Sequence, residues 1–320
     1  MDLTRRAILF GLAGAGLSAK VASAGGLHVE SGSAFGSTWR ISVDRSVDLS
    51  AVRPAVDAII RQVDEQMSPY LDASDLTLFN ESRGTEAQVM PPELCRVAAQ
   101  ALRIARLTDG AFDPTVGPIV SRFGFGPIRG GTGSYSSIEV AANSLRKTTP
   151  ELTLDLCGIA KGYALDRIAE ALQQLGLRDA MIEVGGEIKV LGRHPEGRQW
   201  IAAIADPVST EFQAYRLVAL GRDALATSGH AANGLVAPIS TSHIIDPFSR
   251  RPADTELASV SVLAPTAMEA DALATALCAA GPGRGISLAQ RLDISALFVL
   301  RSGGETTDLM TGRFDEHVLV

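Results

Sequence analysis

Aromatic residues are scarce, at 5% of the 320-residue chain, so no stacking platform for nucleic acid bases is offered. Cysteine is scarcer still. Cys95, Cys157 and Cys278 lie far apart, with no Cys-x-x-Cys spacing. That excludes a disulfide framework and a cysteine zinc site, and free buried thiols are expected instead. Positive charge is also short: 29 Lys and Arg stand against 36 Asp and Glu, a net charge of −7. The balance argues against nucleic acid or an anionic membrane as partner. Several signatures are missing altogether: G-x-x-x-x-G-K-[ST], a strand–G-x-G-x-x-G–helix unit, H-E-x-x-H and G-x-S-x-G. Any nucleotide binding must therefore use a scaffold other than a P-loop or a Rossmann unit.

The first two dozen residues read as a targeting segment. Arg5 and Arg6 precede an apolar run, Ala7 to Ala19, and Ala22-Ser23-Ala24 fits a small-residue cleavage site. The run is too short to span a hydrocarbon core of about 30 Å. Thr4-Arg5-Arg6-Ala7-Ile8-Leu9 resembles a twin-arginine export signal; a general secretory signal that carries two arginines is the alternative. The expected division is a leader over 1–24 and a mature chain over 25–320, located in the periplasm. No Cys follows the run, so no lipid anchor is expected there. Without the leader, the net charge is about −9.

Trp39–Val43 alternates as a short strand, and Val52, Val56, Ile59 and Val63 recur at helical spacing. Leu94, Val97, Ala101 and Ala105 form a second helical stripe that stops before Gly110. Phe123–Ser137 is rich in Gly and Ser and reads as a loop. A helix is predicted over Ala160–Leu175 and another from Ala267 to about Ala279. Strands are predicted over Met181–Val184, Ile188–Leu191, Trp200–Ala205, Tyr215–Leu220, Leu257–Leu263 and Ile294–Leu300. The elements lack a regular βαβ rhythm, which predicts an α+β fold.

Four segments could carry chemistry. In Ala264–Thr275, Thr266 and Glu269 have capping-box spacing, so a helix should start there. Asp271 and Thr275 then share a face one turn apart, offering a carboxylate and a hydroxyl to a hard cation such as Mg2+. A surface Asp beside a helix-facing Thr has the same spacing. In Leu154–Tyr163, Gly158 permits close backbone approach. Lys161 opposes the dipole at a helix start, which suits a bound anion or plain solvation. His243 begins Ser242-His243-Ile244-Ile245-Asp246-Pro247 and is either a base or a structural histidine. Gly110–Pro118 holds two Pro and two Gly in nine residues, a rigid backbone that could wall a pocket.

In this order the segments resemble the FAD:protein FMN transferase (ApbE-like) family, from about Ala34 to Gly285. The landmarks are Met67-Ser68-Pro69-Tyr70 with Asn80, Gly110–Pro118 and Phe123-Gly124-Phe125-Gly126. Asp155–Tyr163, Glu183-Val184-Gly185-Gly186-Glu187, Thr227-Ser228-Gly229, Ser242–Pro247 and Ala264–Thr275 complete the set. The resemblance implies mixed and antiparallel sheets with packed helices around an FAD cleft. It implies a metal, Mg2+, held by Asp271, Thr275 and the Gly158 carbonyl. It also implies that Pro69, Tyr70, Leu71, Asp113, Lys161, His243, Ile244 and Ile245 line the FAD site, with Phe35 where the family usually has Met. Departures are Phe35 and Ser37 for Met and Thr, Pro69 for Thr, and no aromatic-rich hairpin over Gly229–Thr241.

The implied activity splits FAD as a substrate, joins FMN through a phosphoester to a Thr or Ser of a respiratory flavoprotein, and releases AMP. His243 is the candidate base and Asp271 the alternative. By family analogy, acceptors are exported or membrane flavoprotein subunits, such as those of ion-translocating reductases or a nitrous-oxide respiration regulator. A metal-dependent FAD pyrophosphatase and a non-catalytic periplasmic FAD-binding protein are the competing readings.

Overall fold

The computed structural model describes residues 26–131, 133–209, 213–230, 242–302 and 305–319. The leader read at 1–24 and most of the Gly229–Thr241 stretch lie outside these residues. Leu27–Ala34 (β1) and Ser37–Asp44 (β2) form a hairpin. In β2, Trp39, Ile41 and Val43 recur every second position and are fully buried on one face, as strand periodicity requires. Val52–Met67 (α1) buries Val52, Val56, Ile60, Val63 and Met67 along one stripe. Asp75–Glu81 (α2), the two-residue strand Gln88–Val89 (β3), Pro92–Leu107 (α3) and Gly117–Arg122 (α4) follow. Ile138–Ala141 (β4) and Ser144–Lys147 (β5) pair with β3 in a small sheet.

Ala160–Gln174 (α5) stops before Gly176, which takes φ +85°, the left-handed conformation glycine adopts at helix ends. Ala180–Val184 (β6), Glu187–Leu191 (β7), Trp200–Ala205 (β8), Ala214–Leu220 (β9) and Ala224–Gly229 (β10) come next. Ile245–Asp246 (β11) and Arg251–Pro252 (β12) make a short hairpin. Leu257–Ala264 (β13), Ala267–Arg291 (α6), Ser295–Ser302 (β14) and Glu305–Thr311 (β15) end the order. α6 is interrupted at Gly281, φ 74° and ψ 179°, before Pro282. Its first part therefore ends where the sequence pattern places the end, and Pro282 opens a new run, the position proline suits.

The large sheet runs β1-β2-β6-β7-β10-β13-β14-β15 and every pairing is antiparallel. The fold is α+β, as expected. One face of the sheet carries α1, α5 and α6 through Ile41, Ile182, Leu165, Val260 and Leu277. The other carries the β8–β9 pair through Trp200, Val218, Leu263 and Val299. β13 lies between these layers and is buried at all of its positions, so it lacks alternation, as a strand covered on both faces should.

The start of α6 is fixed with unusual care. Asp166 of α5 accepts from the Ala267 and Met268 amides at 3.0 Å each. The Thr266 hydroxyl accepts from the Glu269 amide at 3.2 Å. Three amides that a helix start leaves unpaired are thus satisfied. The second half of the expected capping box is not seen: the Glu269 carboxylate pairs with Arg103 at 2.5 Å instead. A guanidinium is the stronger partner for it than a backbone amide.

α5 and α6 touch at Gly162. A Cβ there would lie 2.2 Å from the Ala267 carbonyl oxygen and 2.7 Å from the Met268 Cα. Backbone cannot yield as a side-chain tip can, so Gly162→Ala should force the helices apart. We expect a stability loss of about 3 kcal/mol or more, read as a lower urea midpoint; an unchanged midpoint would contradict this packing.

Candidate active site

Asp271 sits on the first turns of α6 and is 4% exposed. Its Oδ2 accepts from the Gly162 amide at 3.0 Å. The surface-aspartate reading of the spacing is therefore set aside. Thr275, one turn on, exchanges a hydrogen bond of 3.3 Å with Ser228 on β10. Gly158 meets the same place: a Cβ on it would fall 3.1 Å from Thr275 Cγ2, 3.2 Å from its Oγ1 and 3.3 Å from the Phe112 ring. The close approach expected at Gly158 is thus to Thr275 and Phe112. Asn80 positions the extended segment that leads there, donating to the Leu154 carbonyl at 2.8 Å and accepting from its amide at 2.7 Å. The Asp155 amide then donates to the Pro114 carbonyl at 2.7 Å, tying the 110–118 loop to this segment.

Lys161 is half-buried and already holds an anion. It forms an ion pair with Glu187, which is 2% exposed at the start of β7. Burial pushes the Glu187 pKa up to about 7, with the Lys161 charge opposing and the Asp271 charge assisting. Burial likewise raises Asp271, opposed by the Lys161 charge and the Gly162 amide. Two buried carboxylates thus share one ammonium. Glu187 Oε2 has no hydrogen-bond partner among the described residues. Such a cluster is short of positive charge, and burial makes that shortage costly.

The donor set fits a hard divalent cation. The Thr275 hydroxyl meets the Gly158 backbone, the Asp271 carboxylate lies one turn before it on the same helix face, and added positive charge would offset the excess acid. Among the described residues no three of His, Cys, Asp and Glu gather around one point. Protein ligation would then rest on one carboxylate and neutral oxygens, which suits Mg2+ completed by water and phosphate.

The other expected site residues lie around this cluster or at some remove. Gly185, whose Cβ would lie 3.5 Å from Lys161 and 3.9 Å from Ser37, brings the β1–β2 turn up to the lysine. Phe35 in that turn has φ 49° and packs half-buried against the core. Pro69, Tyr70 and Leu71 follow α1, and the Tyr70 and Leu71 side chains are exposed. The Tyr70 hydroxyl donates to the Phe125 carbonyl at 3.3 Å. The charges of Cys157 and Asp155 act on it, which puts it near the 155–158 turn. Asp113 turns inward on its own loop, accepting from the Thr115 amide and hydroxyl at 2.8 and 2.7 Å.

His243 is half-buried and lies edge-on to Phe125, centroids 6.2 Å apart. Burial, then the charges of His230 and Lys161, hold its pKa down to about 4, so the imidazole is neutral at pH 7. Ile244 and Ile245 are buried, and Ile244 belongs to the hydrophobic core beside Phe112.

Three neighbours escape sequence reasoning. Glu187 and Ser228 appear there only within landmark runs, and nothing in a Gly-Gly-Glu turn announces a buried acid. Cys157, expected to be buried, is exposed while Cys95 and Cys278 are buried.

Residues 35–298 match the ApbE family. An FAD:protein FMN transferase from Vibrio cholerae is 33% identical over 290 residues, covering 85% of this chain and 87% of the relative. Another from Haemophilus influenzae is 31% identical, covering 85% and 86%. Among solved structures, the flavin transferase ApbE from Vibrio cholerae superposes with a TM-score of 0.81 at 31% identity, covering 91% of this chain and 99% of that one. Apo flavinyl transferase ApbE from Pseudomonas stutzeri gives 0.80 at 32% identity, covering 91% and 96%.

Proposed function

The chain belongs to the ApbE family, and from that membership we propose that it is an FAD:protein FMN transferase whose chemistry is centred on Asp271, Thr275, Lys161 and His243. It cleaves FAD as a substrate and joins the FMN half to a hydroxyl of an acceptor protein. The observation that carries the reading is the buried cluster in which Asp271 and Glu187 face a single Lys161. That acid excess suits a cation, and a cation suits a pyrophosphate.

In this reading Asp271, Thr275 and the Gly158 carbonyl would hold Mg2+. There the ion would neutralise the pyrophosphate and stabilise charge developing on the departing AMP. Lys161, anchored by Glu187, supplies a fixed positive contact to the same phosphates. Gly162 and the Asp166 cap keep Asp271 in place by holding α6 against α5. An acceptor Thr or Ser oxygen forms a bond to the FMN-side phosphorus, the bond from that phosphorus to the AMP oxygen breaks, and His243 takes the hydroxyl proton. The edge of the Phe125 ring restrains the imidazole, and the exposed Tyr70 and Leu71 form a rim on which flavin or acceptor can lie. No electrons are gained or lost.

The leader read at 1–24 supports export and periplasmic action on a membrane or exported respiratory flavoprotein. The test co-expresses the full chain with candidate flavoprotein domains and looks for flavin fluorescence that survives denaturation. Fluorescence on the acceptor, with AMP released, is expected. Free FMN in its place would mean a pyrophosphatase, and intact FAD a storage protein.

A further inference from the structure

With His243 read as the base, we propose that His230 is a positioning residue for flavin transfer: acting through the Ser242 hydroxyl, it holds the His243 imidazole at its working place. Both His230 ring nitrogens are engaged, so His230 is not itself the base. Its Nε2 lies 3.2 Å from the Asp254 carbonyl oxygen, which can only accept. Burial lowers its pKa below the ordinary histidine value, so at pH 7 the ring carries one proton, and that proton sits on Nε2. Nδ1 is then bare and accepts from the Ser242 hydroxyl at 2.6 Å.

Ser242 is fully buried and completes the link. Its proton goes to His230, while its oxygen accepts from the Ile244 amide at 3.0 Å. That bond closes a turn with His243 as the central residue. The Ala253 amide fixes the far side of the same segment, donating to the Ile244 carbonyl at 2.8 Å. His243 needs such support. Among the described residues its ring nitrogens have no hydrogen-bond partner, and Phe125 meets the ring only edge-on. β10 reaches both halves of the site. Its Ser228 meets Thr275 at 3.3 Å, its last residue Gly229 is held in register against Ser259, and His230 follows directly. One strand end thus sets the spacing between the hydroxyl read as a cation ligand and the base.

A double-mutant cycle on the full chain tests this. Transfer rates are taken at saturating FAD and Mg2+, and FAD affinity is measured separately from quenching of flavin fluorescence. H230A should lower kcat by about 10–10²-fold, the cost of a misplaced catalytic group, with FAD affinity unchanged. S242A should match it. H230N, whose amide oxygen replaces Nδ1 as the acceptor, should recover most of the loss. In an H243A background H230A should cost no more than about twofold further, because residues that act as one unit are not additive. Urea midpoints check folding, and S242A runs the same cycle should H230A fail to fold. A wild-type rate in H230A, a loss of FAD affinity in place of kcat, no recovery in H230N, or the full loss repeated on top of H243A would overturn the proposal and leave His243 as the base. Wild-type transfer by H243A would remove the base itself, and the proposal with it.

Discussion

Asp271→Ala should abolish flavin transfer, slowing it by about 10³-fold or more at saturating FAD and Mg2+, since a bound cation contributes several kcal/mol of transition-state stabilisation. Two effects must be told apart. The Asp271 carboxylate also accepts from the buried Gly162 amide, and orphaning that amide costs about 1–3 kcal/mol of stability. Asp271→Asn keeps an acceptor oxygen for the amide but removes the charge. We therefore expect Asn to restore most of the urea midpoint lost in Ala while transfer stays abolished. The readout is covalent flavin on the acceptor after denaturing electrophoresis. Wild-type transfer by either variant would remove Asp271 from the chemistry.

His243→Ala should retain FAD binding and slow transfer by ~10²–10⁴, the usual size of general base catalysis. The structure adds a pH signature. With its pKa held down to about 4 by burial and neighbouring positive charge, His243 is neutral in the free enzyme across the physiological range. The acid limb it sets on kcat/KM should fall near pH 4, well below the ordinary histidine value of about 6.5. An imidazole of such low basicity is a weak base until substrate arrives. Phosphate charge left uncancelled by the cation would oppose the Lys161 charge, and so raise the proton affinity of His243 where it is needed.

The same depression has a sign for stability. Between its lowered native pKa and about 6.5 the unfolded chain binds the proton and the native chain does not. His243 therefore contributes stability that is present above about 6.5 and is lost as pH falls toward about 4. His243→Ala should flatten that part of the stability–pH curve. Loss of FAD binding in the variant would instead make His243 a ligand contact.

Strong periodicity made much of this fold legible. Val52, Val56 and Val63 announce α1, and the Thr266–Glu269 spacing announces α6 and with it the shared face of Asp271 and Thr275. What stayed hidden depends on contacts distant in sequence. β10 is built of Ala, Leu, Ser and Gly with a single Thr, and only the Thr has a marked strand preference. It is a strand because β7 and β13 flank it. β1 alternates polar and small residues at a sheet edge and has no apolar face to read. Glu187 is hidden for another reason: an acid after two glycines is ordinarily solvated, and only Lys161 on α5 makes its burial tolerable. Lys161 itself was legible as an oddity at a helix start, but its partner was not.

Flavin transfer by this mechanism needs a cation held at Asp271 and Thr275 next to a dinucleotide's phosphates. Titration of the full chain with Mn2+, followed by electron paramagnetic resonance with and without FAD, tests it most directly. A single bound ion is expected, tightened by FAD, weakened in Thr275→Val and absent in Asp271→Asn. Mn2+ binding in Asp271→Asn indistinguishable from wild type, with FAD present, would contradict it.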